Sequence, residues 1–321
     1  MKVDAVITWV DGNDPVHREK RRKYADPGML TSDDVAGDTR FVEVGELKWC
    51  VASINRYAPW INKIYIVTDS QDPQLGNFIK RNFPDGHIPM EIVDHKVIFE
   101  GYEEYLPTFN ACSIESMTWR IPGLSDRYIQ FNDDMLLCSP VSVTDFFTED
   151  GKSVCYAGRE NIPLIRFTRL WKRIFQPNKK VTFKGVLCNA ARIGGNRWSL
   201  LRINHNPRAL WRDFYEVYYN TYPECLIRNI QYRFRDPDMY VPELMQYTIL
   251  NNEGCCEVRP VRGNLMYIQP KKRKKKYIRR KLDRLSKGSY RFCCFNSIDK
   301  ACPEDLQAVR EWVTSNLKII L

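Results

Sequence analysis

No stretch of about 18 uninterrupted apolar residues occurs in the chain, so nothing in it reads as a membrane-spanning helix. The opening residues lack the basic and then apolar regions of a secretory leader, and we expect a soluble, cytosolic protein. G-x-G-x-x-G and Walker patterns are both missing, so a nucleotide, if one binds, is held by another kind of loop. C-x-x-C is missing as well. The eleven cysteines are an odd number with vicinal pairs at Cys255-Cys256 and Cys293-Cys294, which favours buried free thiols over a disulfide framework or a zinc site. No RNA-binding signature or interleaved aromatic platform is present, and nucleic acid is not an expected partner.

What is present is ordinary globular material: 321 residues, 44% hydrophobic and 27% charged. The net charge of +10 is concentrated. Lys271-Lys272-Arg273-Lys274-Lys275-Lys276 and Arg279-Arg280-Lys281 carry nine positive charges, leaving the remainder nearly neutral. Such a run docks proteins on anionic lipid headgroups or polyanionic products, so an anionic membrane surface is the expected partner of Lys271–Lys281; a solvated segment is the plain alternative.

Val3 to Val10 is short and β-branched, like a strand buried on both faces, and ends in Asp11-Gly12-Asn13-Asp14-Pro15. Leu47, Cys50, Val51 and Ile54 follow helical spacing, and Lys63 to Thr68 reads as a buried strand ending at Asp69. A helix over 73–82, a strand over Met90–Val93 and a helix over 110–121 follow, the last with Ile114, Met117 and Ile121 inward and Glu115 beside that stripe. The β-α-β-α order predicts an α/β fold with a doubly wound, mostly parallel sheet and a site at the carboxyl ends of its strands. Arg127 to Phe131 then delivers Asn132-Asp133-Asp134 before Met135-Leu136-Leu137. Two adjacent carboxylates at a strand's carboxyl end can hold a hard divalent cation against phosphate oxygens; a solvated turn is the alternative.

Beyond residue 140 the alternation weakens, and 158–202 reads as a basic, aromatic, irregular insertion over the site. Asn206-Pro207 predicts a helix with Leu210, Phe214 and Val217 inward. Asp236-Pro237 predicts another with Val241, Leu244, Met245 and Thr248, and Cys302-Pro303 a closing helix with Leu306, Val309 and Val313. His205 and Arg235 each precede one of these starts, where backbone N–H groups favour phosphate. We expect one catalytic domain: an α/β part over 1–140, an acceptor or cap region over 141–204, a helical catalytic part over 205–270, and a basic segment with the closing helix over 271–321.

Together these segments resemble the Stealth family of sugar-phosphate transferases, which includes bacterial capsular polysaccharide phosphotransferases and is similar to the catalytic core of N-acetylglucosamine-1-phosphotransferase. Thr8 to Pro15 resembles its first block. The second is carried by Arg56-Tyr57-Ala58-Pro59-Trp60, Ile64 to Asp69, Leu106-Pro107-Thr108-Phe109, Ile114-Glu115-Ser116, Arg120 to Leu124 and Phe131-Asn132-Asp133-Asp134. His205-Asn206-Pro207 with Arg233-Phe234-Arg235-Asp236 resembles the third, and Phe292-Cys293-Cys294-Phe295-Asn296 with the last helix the fourth. Lys48 and Ala52 stand where the second block often has arginines, and Asn296-Ser297 replaces a more usual Asn-Asp.

The resemblance implies a nucleotide-sugar-binding sheet of Rossmann-like or GT-A-like type. It implies transfer of a hexose 1-phosphate from a UDP-sugar to a hydroxyl of a glycan or capsular polysaccharide, with release of UMP. By matching position it makes His205, Arg235, Glu115 and Asp134 catalytic, with His205 as base and Arg235 on the transferring phosphate. Asp133 and Asp134 would hold Mg²⁺ or Mn²⁺. Asp11, Gly12, Asn13, Asp14, Lys48, Asp69, Asn132 and Asn296 would contact substrate. The basic run suggests, beside this, that a cytoplasmic protein is retained peripherally at the inner face of the plasma membrane. A metal-dependent glycosyltransferase releasing UDP and a non-enzymatic membrane-peripheral or nucleic-acid-binding protein are the alternatives.

Overall fold

The structure is a computed structural model that describes residues 1–25, 43–175, 183–270 and 276–321. Residues 271–275 of the basic run therefore lie outside the described residues. Its centre is a five-stranded sheet built from β1 (Val3–Thr8), β2 (Ile64–Thr68), β3 (Met90–Asp94), β4 (Arg127–Asn132) and β8 (Arg208–Trp211), in the order β3-β2-β1-β4-β8. All neighbours are parallel except β4 and β8, so the expected α/β class with a mostly parallel sheet holds.

After β1 the chain steps outward through β2 and β3, then returns to the other side of β1 for β4. Strand order therefore reverses between β1 and β4, where a crevice opens at the strand ends. Thr8 and Asn132 are register partners, so Trp9 to Asp11 and Asp133-Asp134 leave the sheet side by side.

Both faces are covered. Val3, Ala5 and Ile7 of β1 join Ile64 and Ile66, Ile129 and Phe131 in one apolar cluster, while Val6 joins Tyr65, Val67 and Tyr128 in another. That is the period-two alternation of a strand buried on both sides. The first cluster is closed by α2 (Glu46–Tyr57), α11 (Tyr277–Lys287) and α12 (Pro303–Leu317), the second by α5 (Ala111–Glu115), α8 (Arg212–Thr221), α9 (Pro223–Ile230) and α10 (Pro242–Asn252). Asp4, buried in the sheet, accepts from Asn62 Nδ2 at 2.8 Å and Ser125 N–H at 2.7 Å, which ties the starts of β2 and β4 to β1. The starts of α1 (Pro15–Tyr24), α3 (Gly76–Asn82) and α4 (His95–Ile98) lie just beyond the ends of β1, β2 and β3.

Four elements depart from the pattern-based reading. The expected helix over 110–121 is α5 followed by a 3₁₀ turn at Thr118–Arg120, because the Thr118 hydroxyl and the Trp119 indole N–H take the carbonyls of Glu115 and Ser116. Ile114, Met117 and Ile121 are nonetheless buried. The stretch 158–202 is not irregular in its described residues: β6 (Ser153–Asn161) pairs antiparallel with β7 (Ser199–Ile203), and α6 (Ile162–Phe175) and α7 (Lys184–Ile193) lie between them.

Asn206-Pro207 opens no helix. Arg208 to Trp211 form β8 instead, because the outer edge of β4 has donors and acceptors to satisfy, and the helix begins only at Arg212. Val217 is accordingly exposed. Asp236-Pro237 is a turn in which Asp236 accepts from Asp238 N–H, while Asn189 Nδ2 clasps the carbonyls of Pro237 and Met239 at 2.9 and 2.8 Å. The helix starts at Pro242, with Val241, Leu244, Met245 and Thr248 buried as expected, and the closing helix begins at Pro303 as read from the pattern. His205 and Arg235 thus do not sit at helix starts.

Strands β5 (Met135–Leu137), β10 (Leu265–Ile268) and β11 (Phe292–Phe295) form a second sheet, while β9 (Cys256–Arg259) pairs with β6. All eleven cysteines are free thiols. Among the described residues no helix is long and apolar enough to cross a membrane.

The packing of α7 on α10 gives a direct check of this architecture. A Cβ on Gly194, which follows α7, would fall 2.6 Å from Thr248 Cβ and 3.3 Å from the Met245 carbonyl. Gly194→Ala should lower unfolding free energy by about 1–3 kcal/mol, read as a lower urea midpoint; an unchanged midpoint would refute this packing.

Candidate functional site

The reversal point between β1 and β4 gathers more acid than the Asp-Asp pair alone. The Glu43–Glu46 turn enters α2 through Gly45, whose φ of 119° suits glycine and where a Cβ would fall 3.3 Å from the Trp49 indole. Glu43 accepts from Gly45 N–H at 3.0 Å, and Glu46 from Val44 N–H at 2.7 Å. Burial pushes Glu43 up and Glu46 up to about 7, with Glu43 and Asp134 adding to the rise at Glu46. Asp133 is held well above the carboxylate range by burial and by the charges of Asp134, Glu46 and Glu43.

Asp134 behaves oppositely. Burial alone would raise it, but the neighbouring His205 imidazole, the Cys294 thiol and the Asn296 amide outweigh that and hold it below the usual carboxylate range. Cys294 donates to its Oδ2 at 3.2 Å and Asn296 Nδ2 at 3.3 Å, while Phe295 N–H binds the Asp134 carbonyl at 3.0 Å. The β5–β11 ladder delivers these groups: Cys294 is the register partner of Met135. His205 Nδ1 is buried and lies 3.6 Å from Asp134 Oδ2, while the imidazole as a whole keeps 42% exposure and packs against Tyr267. A carboxylate behind one ring nitrogen leaves the other as a base facing solvent.

Glu115 belongs to a second buried assembly. Arg208 of β8 pairs with Glu243 of α10 at 2.5 Å and lies 3.8 Å from Glu115. Burial and the Glu243 charge push Glu115 up to about 8 against the pull of Arg208 and Arg235. Burial alone would lower Arg208, yet the two carboxylates raise it above its ordinary value. Arg235 is exposed and lies over the Phe183 ring at 5.5 Å.

Two adjoining clefts result. One, of about 490 Å³, is lined by Glu115, His205, Arg208, Arg235 and Phe183. The other, of about 720 Å³, lies over the β1–β4 ends with Trp9, His17, Phe109 and Asp133 in its wall. Ala111 and Asn132 line both. The first therefore brings together His205, Arg235, Glu115 and Asn132, with Asp134 behind His205.

The remaining sequence-predicted residues lie around this centre in more constrained roles. Gln71 accepts from Asp11 N–H at 2.9 Å and donates to the Asp11 carbonyl at 3.0 Å and to Asp14 at 2.9 Å. Asp14 also caps α1 through Val16 N–H, and Gly12 is buried in the same loop. Asn13 Nδ2 reaches the Glu43 carbonyl at 3.4 Å. Asp69 pairs with Lys20 at 2.8 Å, and Lys48 is exposed beside Phe78. Asn296 accepts from Gln269 while donating to Asp134.

Sequence reading missed Glu43, Glu46, Arg208 and Glu243. Glu243 after Pro242 is an ordinary acid at a helix start. Arg208 was legible only as the residue following His205-Asn206-Pro207.

A divalent cation has donors here. Asp134 Oδ1 and Asn132 Oδ1 are buried without a hydrogen-bond partner, beside the crowded Asp133. Asp134, His205 and Cys294 also offer ligand atoms within 4.8 Å of one another. Burial and the Asp134 charge keep the Cys294 thiol protonated, and it donates to Asp134, which disfavours it as a ligand.

Residues 1–26 match the region described as Stealth protein CR1, conserved region 1, and residues 40–155 that described as Stealth protein CR2, conserved region 2. The chain is 43% identical over 151 residues to a capsular polysaccharide phosphotransferase of Streptococcus pneumoniae, the match covering 47% of this chain and 42% of that protein. A capsular polysaccharide phosphotransferase of Streptococcus thermophilus is 32% identical over 169 residues, 53% of this chain and 67% of that protein. The chain thus spans under half the length of the pneumococcal relative. Among solved structures, apo mouse xyloside xylosyltransferase 1 aligns with a TM-score of 0.46 and 11% identity over 92% of this chain and 98% of that chain, a likeness too distant to build on.

The electrostatics of Asp133 carry a sign that can be measured. A carboxyl that binds its proton more tightly folded than unfolded weakens the fold as pH rises through the unfolded value. Asp133→Asn should therefore stabilise the metal-free protein at pH 7 by roughly 1 kcal/mol, raising Tm, with the gain vanishing below about pH 4. A lower Tm at pH 7 would contradict the crowding described.

Proposed function

The chain belongs to the Stealth family, and on that premise we propose that it is a sugar-1-phosphate transferase of capsular or exopolysaccharide synthesis. It takes a hexose 1-phosphate, such as N-acetylglucosamine 1-phosphate, from a UDP-sugar, passes it to a glycan hydroxyl and releases UMP. One observation carries the reading: His205 and Arg235, distant in sequence, face the same cleft beside Glu115 and Asn132, at the sheet's reversal point. Residues 1–321 act as one catalytic domain in this reading.

The acceptor hydroxyl gives its proton to the solvent-facing nitrogen of His205 as its oxygen bonds to the phosphorus nearer the sugar. The bond from that phosphorus to the bridging oxygen breaks, and UMP leaves with the electron pair. Asp134, 3.6 Å behind Nδ1, stabilises the imidazolium so formed. Arg235 presents two parallel N–H groups to the transferring phosphate, which a lysine ammonium cannot do. Glu115, which burial and the Glu243 charge push up to about 8, lines the same cleft.

The clefts divide the work: the nucleotide lies over Trp9 and Phe109, the acceptor beside His205 and Phe183, and the diphosphate crosses Asn132. Asp133 and Asp134, with Asn132, would hold Mg²⁺ or Mn²⁺, which when bound neutralises diphosphate charge. Retention at the inner face of the plasma membrane through Lys271–Lys281 is part of the proposal.

Incubation with UDP-N-acetylglucosamine, Mg²⁺ and capsular glycans, followed by mass spectrometry of the released nucleotide, tests it. UMP release should need metal and acceptor, and His205→Ala should slow it by about 10²–10⁴-fold. UDP as the product would move attack to the anomeric carbon and defeat the proposal. Arg235→Lys should keep the charge yet slow UMP release by at least tenfold, since the fork is lost; wild-type turnover in that variant would remove Arg235 from the phosphate.

A further inference from the structure

Helix α6 carries its apolar stripe outward. Ile162 and Ile165 face the core at 0% and 6% exposure, whereas Leu164, Phe167, Leu170 and Trp171 are 62%, 62%, 59% and 56% exposed. At 3.6 residues per turn those four occupy one arc, away from Ile162 and Ile165. The Phe167 and Trp171 rings lie 6.3 Å apart, so the arc is a continuous surface. Trp198, 76% exposed, adjoins its start, its carbonyl accepting from Ile162 N–H at 2.9 Å. Isolated exposed apolar residues are normal; a contiguous stripe marks a contact surface.

The charge around the stripe chooses the partner. From Asn161 to Phe183, the stretch that contains α6, the sequence holds no aspartate or glutamate and six lysines and arginines. A second copy docking on the same face would set this positive field against itself. An anionic bilayer meets both demands, taking the apolar arc at the acyl boundary and the cations among its headgroups, which is the composition of an in-plane interfacial helix.

We propose that α6 docks the protein on an anionic lipid bilayer, with Leu164, Phe167, Leu170 and Trp171 inserted at the headgroup–acyl boundary. Lys271–Lys281 play no part in this docking, which is independent of the phosphotransferase reading. If that reading also holds, Lys184, next to Phe183 of the acceptor cleft, pairs at 3.2 Å with Glu160 just before α6, which sets that cleft near the bilayer and favours a lipid-anchored glycan as acceptor.

Co-sedimentation of the full chain with vesicles of phosphatidylcholine and phosphatidylglycerol tests the docking. Wild type should bind these vesicles and bind pure phosphatidylcholine weakly, and Phe167→Ser with Leu170→Ser should weaken binding at least tenfold with an unchanged urea midpoint. Brominated acyl chains should quench a fluorescence component that Trp171→Phe removes, which keeps the test open should the double variant misfold. Four outcomes would overturn the proposal: no vesicle binding by wild type, unaltered binding in the double variant, quenching unaffected by Trp171→Phe, or a wild-type dimer that the double variant converts to monomer.

Discussion

Repulsion among carboxylates at the end of β1 and β4 is the constraint on which the rest of the structure depends. The parallel pairing of Thr8 with Asn132 sends two chain segments out of the sheet together, and α2 brings Glu43 and Glu46 to the same place. Burial raises Asp133, Glu46 and Glu43, and their neighbours' charges add to the rise at Asp133 and Glu46, whereas Asp134 is held below the usual carboxylate range. Such an arrangement is poor for stability and good for binding positive charge, the usual sign that a site has been maintained for function rather than for folding.

The elements around that centre read as answers to it. The β5–β11 ladder brings Cys294 and Asn296 to Asp134, and His205 approaches from the segment before β8. On the other side of the cleft, Arg208 cannot neutralise Glu115 fully because Glu243 holds it more closely, 2.5 Å against 3.8 Å. Burial and the Glu243 charge, only partly offset by the shared Arg208, push Glu115 up to about 8. The carboxyls of Asp134 and Glu115 are thereby shifted in opposite directions within one region, an arrangement suited to proton handling.

Much of the fold was legible in local pattern. The uninterrupted apolar runs of β1 and β2 and the spacing of Leu47, Cys50, Val51 and Ile54 announce buried parallel strands and an intervening helix, because both faces of the sheet must be covered. The failures share a cause. Asn206-Pro207 and Asp236-Pro237 carry sound helix-start chemistry, yet a free edge on β4 and the grip of Asn189 on two carbonyls outweighed it. Local propensity is worth a kilocalorie or so and yields to a hydrogen-bond ladder that closes a sheet. The basic stretch after residue 158 has no period-two signature strong enough to reveal β6 and β7 pairing across α6 and α7.

By itself the sequence determined the alternation of strands and helices and the polar turns that end β1 and β4, since each follows from residue types within a few positions of one another. The family resemblance supplied His205, Arg235 and Glu115 as a set. Only the tertiary structure decided that Glu43 and Glu46 crowd the Asp-Asp pair, that Glu243 competes for Arg208, and that the apolar side of α6 faces outward. These are relations between segments far apart in the chain, set by strand order and helix packing, and electrostatic and apolar contacts of that kind leave no trace in local spacing.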